Sequence, residues 1–458
     1  MASYISKLND DCLELVFQFC GGCPWTLNTL SRVSRRWYAI ANRPSAWRLL
    51  VIDKPSLHRA YARFLSSESN QTRLEAVRTL MVAKPIESRH AHLRPLPFSG
   101  LTHVTHLYTF NLCLAEIEYV SQQLKSTRME ELVCNHIETW CDMRRFSFDL
   151  IQCHPYLRHV QFRFMEDGHS GFASIHNSHR LSGEKQTELS LLPIESLQIV
   201  SIRDAECLEQ RSLLVVMEEI ENDRDEVYSQ QDIDRLEHKQ HILIESWHLL
   251  ESALYQKYQF LSCLHQLKHL ELGSCYAWAP KVWRYCFKKA IESSPQLKHL
   301  GLHGWDQIGR FEKMGSKSSA IEPIRADAES AILECFQSLK ELASLELVDF
   351  SVGSGLLQAG PLLAPTIQHV RIAYSRSSIR YISEPADVWL LIGPLKEFLI
   401  SLFSGTTQHK NRWIELQFHS DLIKQIQHNM FFSKEPFLDS LQASLKSQEN
   451  VHISLSEY

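Results

Sequence analysis

Apolar positions in this chain follow two patterns. Over most of its length, short stretches of the form L-x-x-L-x-L alternate with stripes at helical spacing. The clearest is Leu267-Lys268-His269-Leu270-Glu271-Leu272, and 297–302 repeats it 30 residues on. Stretches 342–347, 367–372 and 395–400 follow, the last two 25 and 28 residues after their predecessors. Weaker copies stand at 101–104, 129–132, 157–162 and 197–202, and 413–418 and 451–455 alternate like strands. Between copies, 114–124, 281–291 and 326–336 read as helices. One such copy is what any buried strand looks like. Several at intervals of 25 to 30 residues, each followed by a helix, predict a repeating strand–helix unit that cannot bury its apolar side alone. Stacked, such units give a parallel sheet on one side and helices on the other.

The first fifty residues lack that pattern. Leu8, Cys12, Leu13, Val16, Phe17 and Cys20 recur at helical spacing, with Asn9 placed to cap, Asp10 and Asp11 at the positive end, and Gly21-Gly22 as the stop. A second helix carries Leu27, Leu30, Val33, Trp37, Ile40 and Ala41 on one side, and Arg32, Arg35 and Arg36 largely on the other. Asn42-Arg43-Pro44 breaks it, and a short third helix carries Trp47 and Leu50. A piece this small needs a neighbour to lean on. Its apolar positions cover more than one face of each helix, so one face is left for a protein partner. Residues 54–67 read as a connecting helix through Leu57, Tyr61, Phe64 and Leu65.

These residues carry a resemblance. Leu8-Asn9, Asp11, Cys12-Leu13 and Val16-Phe17, then Val33-Ser34-Arg35-Arg36-Trp37, then Pro44-Ser45-Ala46-Trp47, resemble an F-box, with Asn9 in place of the usual proline and Cys12 and Cys20 in aliphatic slots. The repeated stretches resemble leucine-rich repeats in the irregular form often attached to F-boxes. The resemblance implies an α/β fold: a three-helix F-box over 1–53, a connecting helix over 54–73, and a leucine-rich-repeat solenoid over 74–458 with a parallel sheet and outer helices. A helical insertion at 203–266 and flexible loops at 167–184 and 306–323 interrupt the repeats. Within the insertion 213–220 reads as helix, 221–231 as a polar tract and 232–264 as one long helix with Leu236, Leu243, Trp247, Leu250, Leu254, Tyr258 and Leu261 on a stripe.

The resemblance further implies a non-catalytic, substrate-recognition subunit of a Skp-cullin-F-box ubiquitin ligase. The F-box would dock the Skp adaptor, and through it cullin and RING subunits, while the repeats hold a protein target. The alternative is a cullin-independent scaffold tethering another complex. The adaptor contact is expected from Leu8, Leu13, Val16, Phe17, Leu27, Leu30, Val33 and Trp47, with Trp37 holding the helices together.

Composition narrows the rest. At 458 residues the chain exceeds what one core usually supports. Its 44% apolar and 22% charged residues are ordinary for a globular protein, and a net charge of −5 offers no field for nucleic acid or an anionic membrane. No apolar run approaches the ~20 residues needed to span a bilayer. No basic segment followed by an apolar core opens the chain, so an intracellular protein, cytoplasmic or nuclear, is expected. The 12 cysteines sit mostly among apolar residues, including Cys113, Cys134, Cys207, Cys263 and Cys335, as free buried thiols do in a reducing compartment.

The motifs carry little chemistry. No nucleotide-binding loop, nucleophile elbow or kinase loop is present. Cys20-Gly21-Gly22-Cys23 and the group Cys134, His136 and Cys141 lack the partners a zinc site needs and read as core residues. His103, His159, His269, His299 and His369 share the third slot of the repeated stretch. Such a strip suits proton sensing or metal binding, or is a template residue copied by duplication; the second is favoured, and neither cofactor nor metal is expected. The fifth slot varies as Gln161, Glu271, Gly301, Glu346 and Arg371. Mixed charge there suits a protein target, so His159, Gln161, His269, Glu271, His299, Glu346, His369 and Arg371 are the candidate target contacts.

Overall fold

The computed structural model describes residues 7–19, 22–85, 95–137, 150–151, 153–164, 193–200, 229–273, 279–304, 322–350, 352–375, 385–403, 412–428, 437–445 and 451–457. The expected loop at 167–184, nearly all of that at 306–323, residues 203–228 of the insertion, and Cys20, Cys141 and Cys207 lie outside them. The chain divides into two compact units, one of residues 1–170 with 192–194, the other of 171–191 with 195–458. Among the described residues no helix is long and apolar enough to cross a membrane.

The first unit opens with α1 (Asp10–Phe19), α2 (Pro24–Ser31) and α3 (Arg35–Ala41). The single helix expected over 27–41 is broken, because Ser34 is extended and its hydroxyl accepts the Trp37 amide at 3.1 Å, capping a new helix. The expected third helix is a 3₁₀ turn, Pro44–Trp47, and Leu50 lies beyond it on strand β1 (Leu49–Ile52). Gly22 makes that approach possible: its carbonyl accepts the Val51 amide at 3.0 Å, and a Cβ there would stand 1.6 Å from the Leu49 carbonyl oxygen. The connection is not one helix but α4 (His58–Ser66) and α5 (Gln71–Ala76), separated by a 3₁₀ turn at Glu68–Asn70.

Strands β2 (Thr79–Ala83), β3 (His106–Phe110), β4 (Glu131–Ile137) and β5 (His159–Phe164) extend β1 into a parallel sheet in chain order, with α6 (Leu114–Gln123) between β3 and β4. Leu50, Leu80, Leu107, Leu132 and Val160 stand in register and all are buried. The frame expected at 101–104 is therefore three residues early. Leu101-Thr102-His103-Val104 and Val104-Thr105-His106-Leu107 share one spacing, and it is His106, not His103, that falls in register with Glu131.

The second unit repeats the plan. Strands β6 (Ser196–Val200), β7 (His269–Leu272), β8 (His299–His303), β9 (Ser344–Val348), β10 (His369–Tyr374), β11 (Arg412–Phe418) and β12 (Val451–Glu457) pair in parallel, in chain order. Leu197 is in register with Leu270, so the frame at 197–202 instead begins three residues late: Leu197 takes the fourth slot of the template, and the buried Ile194 ahead of the strand takes the first. Helix α7 (Gln230–Tyr258) precedes β7. Its buried Leu243, Trp247 and Tyr258 lie on the expected stripe, and Leu261 of the same stripe is buried in the 3₁₀ turn that follows. Between β7 and β8, α8 (Pro280–Val282) and α9 (Lys288–Ser293) flank a π turn. Helices α10 (Glu322–Gln337), α11 (Ser354–Leu363) and α12 (Pro385–Phe403) link the next strands, and α13 (Ser420–His428) and α14 (Phe437–Leu445) lie between β11 and β12.

Stretch 395–400, expected as a strand, lies inside α12. Val388, Leu391, Ile392, Leu395, Phe398, Leu399 and Leu402 are buried at spacings of three and four, which makes one helical stripe. Taken alone, Leu395, Phe398 and Ile400 imitate the strand template.

Candidate functional site

The N-terminal helical piece is built around a small core. Leu13, Phe17, Leu27, Ile40, Ala41, Ala46 and Trp47 are buried together, with Leu8, Leu30, Trp37, Phe64 and Ala76 packed against them. Phe64 on α4 stacks on Trp47 with centroids 5.4 Å apart, and the Arg73 guanidinium of α5 covers the same ring at 5.1 Å. The neighbour that three short helices require is therefore the connecting segment. Polar groups fix the angles. The Asn9 side-chain oxygen accepts the Cys12 amide at 2.7 Å, Arg36 binds Asp10 at 2.8 Å, and Arg43 bridges Glu14 at 3.0 Å and Asp10 at 3.3 Å.

That core divides the expected contact set by burial. Leu13, Phe17, Leu27 and Trp47 are buried, and Trp47 also donates its indole N–H to the Ala41 carbonyl at 2.9 Å. They hold the helices together, as does Trp37, whose ring meets Phe17 edge-on at 5.2 Å. Leu8 and Leu30 are half-buried. Val16 and Val33 remain available at 39% and 59% exposure, and they are joined by two residues the sequence reading passed over, Leu15 at 52% and Tyr38 at 60%. Leu15 was missed because it sits off the apolar stripe of α1.

The eight candidate target contacts fall in both units. His159 and Gln161 lie on β5 of the first; the other six lie on β7 to β10 of the second. There the strand register aligns Ser196, His269, His299, Ser344, His369, Trp413 and His452 in one row, and Gln198, Glu271, Gly301, Glu346, Arg371, Glu415 and Ser454 in the next. The His269 and His299 rings stack 4.1 Å apart, and Trp413 stacks on His452 at 4.4 Å. Ser344 Oγ lies 3.0 Å from His299 Nδ1 and 3.4 Å from His369 Nδ1.

Glu271 is the centre of this face. Its carboxylate meets His269 Nε2 at 2.8 Å and accepts from Gln198 Nε2 at 2.9 Å, with His299 Nε2 at 3.4 Å and His303 Nε2 at 3.9 Å. Burial works against its charge, but the imidazoles of His269, His299 and His303 hold the carboxyl far below the usual carboxylate range. Burial pushes His303 down from its ordinary value, opposed in part by Glu346 and Glu271. Farther along, Arg371 binds Glu346 and donates to Gln417 at 2.6 Å. His303 and Gln417 were not among the expected residues. Each lies two positions beyond a fifth-slot residue and so shares its face, which strand alternation alone could have signalled. The described buried cysteines stay inside the core, where burial pushes the Cys134 and Cys286 thiols up to about 12, away from reactive thiolate.

Among known families, the F-box domain matches residues 5–49. No curated protein matches the chain.

Proposed function

We propose that this chain is a substrate-recognition subunit of a Skp-cullin-F-box ubiquitin ligase. The F-box domain match over 5–49 carries the reading, since domains of that kind bind Skp-type adaptors and, through them, cullin. Residues 1–53 are the docking segment, 54–73 the brace, and 74–458 a leucine-rich-repeat solenoid that receives a protein target. Support for the repeat reading comes from parallel strands in chain order with helices between them in each unit. Leu15, Val16, Val33 and Tyr38 supply the apolar contact with the adaptor, and the polar face of the strands receives the target. The protein's contribution is proximity between target and ubiquitin donor, not chemistry of its own.

A pull-down of the full chain, probed for the Skp adaptor and cullin side by side, tests this. Capture of both is the expected result. Adaptor without cullin would instead identify a scaffold, and capture of neither would remove the F-box reading.

A further inference from the structure

We propose that the second unit binds one divalent transition-metal ion of the zinc class on the β7–β8 ladder, through Nε2 of His269 and His299 and the carboxylate of Glu271, with His303 as a fourth donor. The inference is independent of the adaptor reading. It reverses the expectation that the histidine row is a passive product of duplication.

Geometry comes first. One donor atom from each of His269, Glu271 and His299 lies within 4.8 Å of the others. His269 Nε2 stands 2.8 Å and His299 Nε2 3.4 Å from the same carboxylate oxygen, and His303 Nε2 lies 3.9 Å from its twin. A tetrahedral zinc ion with bonds of about 2.0–2.1 Å holds its ligand atoms about 3.3 Å apart, so the donors need only small shifts. The stacked rings must open, since parallel imidazoles point their lone pairs side by side. That motion is a turn about χ2, a broad torsion in histidine.

The second observation points to a missing partner. His299 Nε2 and His303 Nε2 are buried, and neither makes a hydrogen bond. Buried polar atoms are nearly always satisfied; His299 Nε2 faces Glu271, while His303 Nε2 stands between Glu271 at 3.9 Å and Glu346 at 3.8 Å, and a metal at Glu271 would satisfy both nitrogens. The outer contacts fit as well. Ser344 engages His299 Nδ1 at 3.0 Å, which leaves Nε2 as the free donor, the arrangement typical of metal-bound histidine. Gly301 clears the space, because a Cβ there would stand 2.6 Å from Glu271 Cγ. An ionised carboxylate and neutral imidazoles are the protonation states that ligation requires. Nitrogen donors with one carboxylate and no thiolate select zinc-class ions over calcium, magnesium or copper(I).

The test uses the full chain, stripped with chelator and titrated with Zn²⁺ by calorimetry and with Co²⁺ by visible absorption. One ion per chain is expected, with a cobalt spectrum of tetrahedral intensity. His299→Gln should weaken binding at least 100-fold, Ser344→Ala by about tenfold, and His159→Gln not at all. Should His299→Gln fail to fold, as its melting curve would show, Ser344→Ala decides. Absence of stoichiometric binding, or binding that Ser344→Ala and every folded His299 variant leave unchanged, overturns the proposal and makes the cluster a proton-sharing network only.

Discussion

Asn9 stands where an F-box usually carries proline, and it starts α1 by accepting the Cys12 amide. Asn9→Ala should therefore lower stability by about 1 kcal/mol, read as a shift in the urea midpoint of the full chain. A larger single-residue effect belongs to His154, buried with its Nε2 2.6 Å from Ser121 Oγ. Burial pushes its pKa from 6.5 down to about 4. Between those values the unfolded chain binds a proton that the folded chain refuses, so stability is complete above pH 6.5 and falls as pH drops toward 4. At pH 5 the loss is on the order of 2 kcal/mol, and His154→Leu should flatten that part of the pH profile, in urea melts at pH 7 and pH 5. The sequence announced neither role equally. Asn9 before an apolar stripe is a visible cap, whereas nothing around His154 distinguishes it from 22 other histidines until burial is known.

Elements were legible where periodicity is long and misread where a short window is ambiguous. Strands at 269–272, 299–303 and 344–348 and the helix expected at 326–336, observed at 322–337, came through because each sits in a regular apolar pattern of its own period. At 101–107 two overlapping frames with identical spacing compete, and only pairing with the neighbouring strands selects Leu107 for the core. At 395–400 six residues satisfy the strand template, but the nineteen of α12 satisfy a helix. Helix α6 shows what lies below sequence altogether. Lys84, just past β2, is buried against Glu116 at 2.8 Å, and Glu116 also accepts the Cys113 amide that opens the helix. Glu116→Ala should cost about 3 kcal/mol or more, since it takes the carboxylate from a buried ammonium and the cap from α6. Glu116→Gln keeps a cap acceptor and should cost less, and chemical denaturation of the two variants measures the difference.

For the molecule as a whole, a helical F-box piece followed by strands alternating with helices was readable from ordered motifs and spacing. Which side chains of that piece stay exposed was not. Leu13, Phe17, Leu27 and Trp47 are the most motif-like residues of that piece, and the structure places them in its core. Motif positions mix the residues that hold a fold with those that use it, and burial separates them. The polar face of the second unit was half visible: the repeated histidine slot foretold the His269–His299 pair, while Gly301 looked like mere variation until Glu271 was seen lying across it.

The most direct measurement is the affinity of the full chain for the Skp adaptor, wild type against a Val16→Asp, Val33→Asp double variant. Both residues are exposed, so the variant should melt like the wild type while binding falls at least 100-fold, the loss expected when ~3 kcal/mol of apolar contact is replaced by buried charge. Unchanged affinity in a folded double variant, or no binding by the wild type, would contradict the docking assignment.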